Sequence, residues 1–161
     1  IVLDYILHRK PKIKGAIVTS PWLRLSSEPP NSKLIMASVM KFFMPAIIQP
    51  SGLNINYLSH DENFIEEYKK DPLVHGKISV RLFYGAMRAA KYSLAHASEL
   101  KVRTLLIHGS DDMICSPEGS IEFAGKTDMV ELKIWEGGYH ELHNEPFKEE
   151  VFKYIMNWIR R

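Results

Sequence analysis

The sequence predicts an α/β fold in which parallel strands with flanking helices are interrupted by a helical insert. Three observations predict it. Gly15 to Thr19, Val102 to His108 and Val130 to Trp135 are short, apolar, β-branched runs. They are too brief and too uniformly apolar for amphipathic helices and read as strands buried on both faces of a parallel sheet. Segments with apolar residues at three- and four-residue spacing lie between the runs, and strands separated by helices argue for parallel pairing with right-handed crossovers. The second and third runs also stop at glycine and then present titratable groups, Asp111-Asp112 and His140. Polar groups just past the carboxyl ends of such strands stand in the crevice where open α/β sheets bind ligands.

In chain order, Ile1 to Arg9 carries apolar residues at 2, 3, 6 and 7 and ends His-Arg-Lys before Pro11, the charge and stop expected at a helix carboxyl terminus. Gly15 to Ser20 follows as the first strand, closed by Pro21, and Trp22 to Pro30 is loop. From Asn31 a helix is expected, with Leu34, Ile35, Met36, Val39, Met40, Phe42, Phe43 and Met44 covering more than one face before Pro45. Gly52 to Asn56 is a turn region. Ser59-His60-Asp61 caps a short helix through Tyr68, with Leu58 as a staple, and Asp71-Pro72 breaks it. Val80, Phe83, Met87, Ala90, Leu94 and Ala97 define one long amphipathic helix between Ser79 and Leu100. Beyond the strand ending at His108, Ser116-Pro117 opens a helix that Gly125 stops. After the last strand, Glu145-Pro146 opens a final helix lined by Phe147, Val151, Ile155, Trp158 and Ile159.

Composition narrows the function classes. The 161 residues carry a formal charge of +2, and lysine and arginine are scattered among acids, so no phosphate-tracking stripe stands out and nucleic acid is not the expected partner. The single cysteine, Cys115, excludes an internal disulfide framework and a cysteine-rich metal site, and fits a reducing compartment. No signal peptide is visible and Leu34 to Ile48 is too short to span a bilayer. The expectation is a cytoplasmic protein whose insert can touch a membrane surface peripherally.

Four stretches carry a family resemblance: Ala16-Ile-Val-Thr-Ser-Pro21, Asp71-Pro-Leu-Val74, Leu105-Leu-Ile-His-Gly-Ser-Asp-Asp112 and Trp135-Glu-Gly-Gly-Tyr-His-Glu-Leu-His-Asn-Glu145. With their order and spacing, the chain resembles the carboxyl-terminal half of an α/β-hydrolase of the monoacylglycerol lipase and lysophospholipase branch, the serine aminopeptidase S33 type. The resemblance implies that 1–21 and 101–161 form part of the hydrolase core and that 22–100 is a helical cap insertion with its return helix. It also implies that Asp112 is the acid and His140 the base of a Ser-Asp-His triad. The family's Gly-Ser-x-Asp pattern selects Asp112 over Asp111. In such a triad the imidazole takes the proton of the attacking serine while the buried carboxylate fixes its tautomer.

The substrate class implied is an acyl-ester lipid, a monoacylglycerol or lysophospholipid, and no cofactor is needed. Within enzymes the alternatives are a peptidase or a small-ester hydrolase, because the same triad serves many substrates. From another class comes a non-catalytic assembly fragment. No Gly-x-Ser-x-Gly elbow occurs in the sequence, so the serine and its oxyanion donors are expected upstream of Ile1. That leaves Gly15 to Thr19 as an open edge, predicted to associate with the missing amino-terminal half or to pair with itself.

The remaining candidates read as structural. His143 is a support or surface residue, His108 a packed histidine, and His8, His60, His75 and His96 ordinary cap, loop or helix-surface residues. Ser20 lacks the glycines of an elbow. Cys115 has no basic neighbour in sequence to lower its pKa. His140, His143 and Glu145 imitate a metal cluster without a standard zinc spacing.

Overall fold

The computed structural model describes residues 1–27 and 47–161. Leu3, Ile6 and Leu7 form a buried stripe at helical spacing, so Val2–Arg9 is a helix, α1. Lys10 closes it in the left-handed region at φ 46° and donates its N–H to Ile6 O. The first strand, β1, is Ala16–Thr19. A Cβ on Gly15, just before it, would come within 2.9 Å of the Trp158 ring, so only glycine lets the strand enter there.

Among the described residues between 20 and 103 none joins the main sheet. Ile48–Pro50 (β2) and Lys77–Ser79 (β3) make a small antiparallel ribbon of their own. Asp61 caps Glu62–Lys70 (α2) by accepting the N–H groups of Asn63 and Phe64. Ser79 caps Val80–Ala95 (α3) through Leu82 N–H. The helix expected from Asn31 lies outside the described residues.

The chain then returns as Thr104–Gly109 (β4), buried along its whole length, followed by Pro117–Ala124 (α4), Val130–Trp135 (β5) and Lys148–Ile159 (α5). The sheet order is β1-β4-β5 and both pairings are parallel, with Val18 opposite Leu106 and Leu106 opposite Leu132. Alternation along β4 feeds two cores. Leu106 packs with Leu3, Ile6, Leu7 and Phe123 on one face, whereas Leu105 and Ile107 pack with Leu142, Val151 and Trp158 on the other. Each such side chain stabilises the fold by roughly 1.5–3 kcal/mol on burial.

Among the described residues no strand covers the outer side of β1. Ala16 and Ser20 donate their N–H groups toward β4, so by alternation those of Ile17 and Thr19 face that open side.

One helix start and one helix cap differ from expectation. The last helix begins at Lys148 rather than at Glu145-Pro146, because a residue before proline is driven out of the helical region and Glu145 is extended at φ −70°, ψ 157°. Leu142–Asn144 forms a separate single turn ahead of it. Ser116 does occupy the N-cap position of α4, but its hydroxyl bonds the Glu118 carboxylate and not the helix amides.

Candidate active site

Two glycines bring the ends of β4 and β5 together. A Cβ on Gly109 would stand 2.1 Å from Gly138 O, so backbone packs directly on backbone where the strands end. Asp111 N–H donates to Gly138 O at 3.0 Å and Ser110 N–H to Trp135 O at 2.9 Å. Gly137 adopts the left-handed conformation at φ +68° and donates its N–H to Ser110 Oγ at 2.8 Å. The turn after β4 and the loop after β5 are thereby fixed to each other.

Across this junction His140 Nδ1 lies 2.7 Å from Asp112 Oδ2. Because a carboxylate only accepts, Nδ1 carries the proton and Nε2 remains the basic nitrogen. Asp112 is 3% exposed. Its Oδ1 accepts Ile114 N–H at 2.8 Å and Cys115 N–H at 2.9 Å, while His108 Nε2 also reaches Oδ2 at 3.0 Å. Burial is the largest single influence and opposes ionisation. The donors His108 and His140, the charge of His140 and the Cys115 amide together outweigh it and hold the Asp112 carboxyl well below the usual carboxylate range. A fixed anion against an imidazole whose other nitrogen is free to accept a proton is the arrangement of a general base.

His108 is packed within the strand, as its sequence position suggests, but it has a polar task as well. Its Nε2 faces two acceptors, Asp112 Oδ2 and Cys115 O at 2.9 Å, so that nitrogen is the donor, and Ser120 Oγ lies 2.7 Å from Nδ1. No local pattern announces this, since its partners come from a turn and from α4. Asp111 is turned toward Ser110, whose hydroxyl it accepts at 2.6 Å, and does not meet His140.

The three residues that imitate a metal cluster diverge. His140 goes to Asp112, His143 is exposed and 3.8 Å from Glu141, and Glu145 is buried against Tyr139 N–H and His60. Among the described residues no group of three His, Cys, Asp or Glu is placed to hold a metal ion. Ser20 is buried at φ 40° with its N–H on Ile107 O. Burial, with a smaller effect from the Asp112 charge, pushes the Cys115 thiol up to about 12.

Because the strands run parallel, the carboxyl end of β1 opens on the same rim of the sheet as Asp112. There a cavity of about 410 Å³ is walled by Val2, Val18, Pro21, Trp22, Leu82 and Ala86, among other residues. Among the described residues no charged side chain lines it. Among the described residues no helix is long and apolar enough to cross a membrane.

Comparison with known proteins gives a consistent family. The model of the family described as "Serine aminopeptidase, S33" matches residues 1–147. Similar curated proteins include the "Phospholipase YtpA" of Bacillus subtilis, 30% identical with 90% of this chain and 57% of the relative covered. Another is the "Monoglyceride lipase" of Homo sapiens, 28% identical with 90% and 50% covered. Among solved structures, the Paleococcus ferrophilus monoacylglycerol lipase superposes with a TM-score of 0.92 at 29% identity, covering 98% of this chain and 62% of that one. The chain spans about half the length of most of the curated relatives it matches.

Proposed function

We propose, from the premise that this chain belongs to the serine aminopeptidase S33 family of α/β-hydrolases, that it supplies the acid and the base of a serine esterase acting on monoacylglycerols or lysophospholipids. The observation that carries this is the 2.7 Å contact between His140 Nδ1 and a buried, multiply bonded Asp112 at the ends of adjacent parallel strands. His140 Nε2 takes the proton of a serine hydroxyl as that oxygen attacks the ester carbonyl. It returns the proton to the departing alcohol, and a water then repeats the sequence on the acyl-serine. The serine belongs to a Gly-x-Ser-x-Gly segment that these 161 residues do not contain, and in this assignment it lies upstream of Ile1.

The lipid substrate draws support from the cavity beside β1, whose described lining is mostly apolar and suits an acyl chain, and from relatives named as a phospholipase and as monoglyceride lipases. Residues 22–100 act as the cap over the crevice, with α3 forming one wall of the acyl pocket.

Fluorophosphonate labelling tests the assignment, with this chain and the serine-bearing polypeptide in one sample. The serine should label and hydrolyse long-chain monoacylglycerol in preference to a short soluble ester. Asp112→Asn should lower kcat by on the order of 10⁴-fold without unfolding the protein. Labelling that persists unchanged in His140→Ala rules the assignment out.

A further inference from the structure

Glu145 is fully buried, yet the triad chemistry makes no use of it. Its carboxylate sits between two segments 85 residues apart in sequence. On one side Oε1 accepts Tyr139 N–H at 2.6 Å, from the residue immediately before His140. On the other, Oε2 accepts His60 N–H at 3.1 Å, and His60 Nδ1 lies 3.1–3.2 Å from both oxygens. Both oxygens are thus engaged by donors, and the Nδ1 facing them carries its proton.

The same two segments are tied along their length. Ser59 Oγ donates to Asn144 O at 2.8 Å, Glu141 N–H to Leu58 O at 2.8 Å and His140 N–H to Tyr57 O at 3.4 Å, while the His60 ring stacks on Tyr139 with centroids 3.6 Å apart. Tyr57 to His60 therefore runs as a splint beside Tyr139 to Glu145. If the splint leaves, Glu145 becomes a buried charge with half its donors gone, a strongly unfavourable state.

We infer that Glu145 is a positioning residue that ties the backbone carrying His140 to the insert, so that the imidazole is held for catalysis only while Tyr57 to His60 is seated. The inference rests on the proposed role of His140. It gives the insert a task besides walling the pocket, since its seating and the alignment of the base depend on one carboxylate. Glutamine at 145 keeps the shape but turns an NH₂ group toward N–H donors, so it breaks one side of the clasp at nearly constant volume.

The test compares Glu145→Gln and His60→Ala with the unsubstituted protein, in the assembled hydrolase, by fluorophosphonate labelling rate, steady-state kinetics and amide hydrogen exchange. Glu145→Gln should slow labelling and kcat on the order of 10-fold to 100-fold, as for a misplaced catalytic group, with KM little changed. Exchange should quicken together in 57–60 and 139–145. His60→Ala should do the same in smaller measure, including in 139–145, which it does not alter covalently. If Glu145→Gln does not fold, exchange in 139–145 of His60→Ala decides: acceleration upholds the clasp and an unchanged rate overturns it. Unchanged labelling in Glu145→Gln, or exchange rising in one segment alone, also overturns it. Coupled exchange in a protein whose serine never labels leaves the clasp standing and instead removes the proposed esterase function.

Discussion

Cys115 and Asp112 are three residues apart and burial acts on both, with opposite outcomes. Asp112 gathers donors that favour its charge. The Cys115 thiol gains none and faces the Asp112 anion, so it is pushed from 9.0 up to about 12. The folded state then binds a proton on Cys115 that the unfolded state has lost. Its stabilisation is complete below the ordinary thiol value and disappears as pH rises from 9.0 toward about 12. Cys115→Ala should flatten the alkaline fall in stability measured by urea unfolding, and the native thiol should resist iodoacetamide at about pH 8 yet react fully in denaturant. A thiol that alkylates at equal rates in both states contradicts this. The placement of Asp112 and His140 just past strands that stop at glycine was legible in sequence, though their pairing and the choice of Asp112 over Asp111 needed the family pattern. His108, His60 and Glu145 were not, because the partners that define them are brought together by the fold from separate segments.

At the scale of elements, the strand ends matter more than the strands. Packing of Gly109 on Gly138 leaves no room for a methyl group, and the atoms in the way are backbone and cannot swing aside. Gly109→Ala should destabilise by roughly 3 kcal/mol and lower Tm by on the order of 10 °C. It should also separate Asp112 from His140. Gly76→Ala, where no described atom lies within 4 Å, is the control and should melt near the parent. Equal melting of the two variants, read by calorimetry, shows that the junction yields. The long helices and central strands were readable from periodicity and caps. The β2–β3 ribbon was not, since three-residue strands with mostly exposed side chains leave too little pattern to detect.

For the molecule as a whole, no strand lies on the outer side of β1 among the described residues. Among those residues nothing pairs the Ile17 and Thr19 amides, which border an apolar sheet, and such an edge recruits another strand. We expect this chain in isolation to sediment as a dimer or larger species, and to become one-to-one with the serine-bearing polypeptide when that is added. A monomer that persists on concentration overturns this. The insert carries a different consequence. Residues 20–103 connect the neighbouring strands β1 and β4, and the entropy of closing a long connection grows only logarithmically, by about 0.6 kcal/mol for each doubling of length. The entropy of strand closure is therefore nearly indifferent to the length of the insert. An insert of another length can close the same loop, provided it still offers Glu145 the two donors that His60 now supplies. What constrains divergence here is the set of attachments to the core, at Glu145 and also where Arg24 and Ser26 bond the turn after β4, and not the size of the insert.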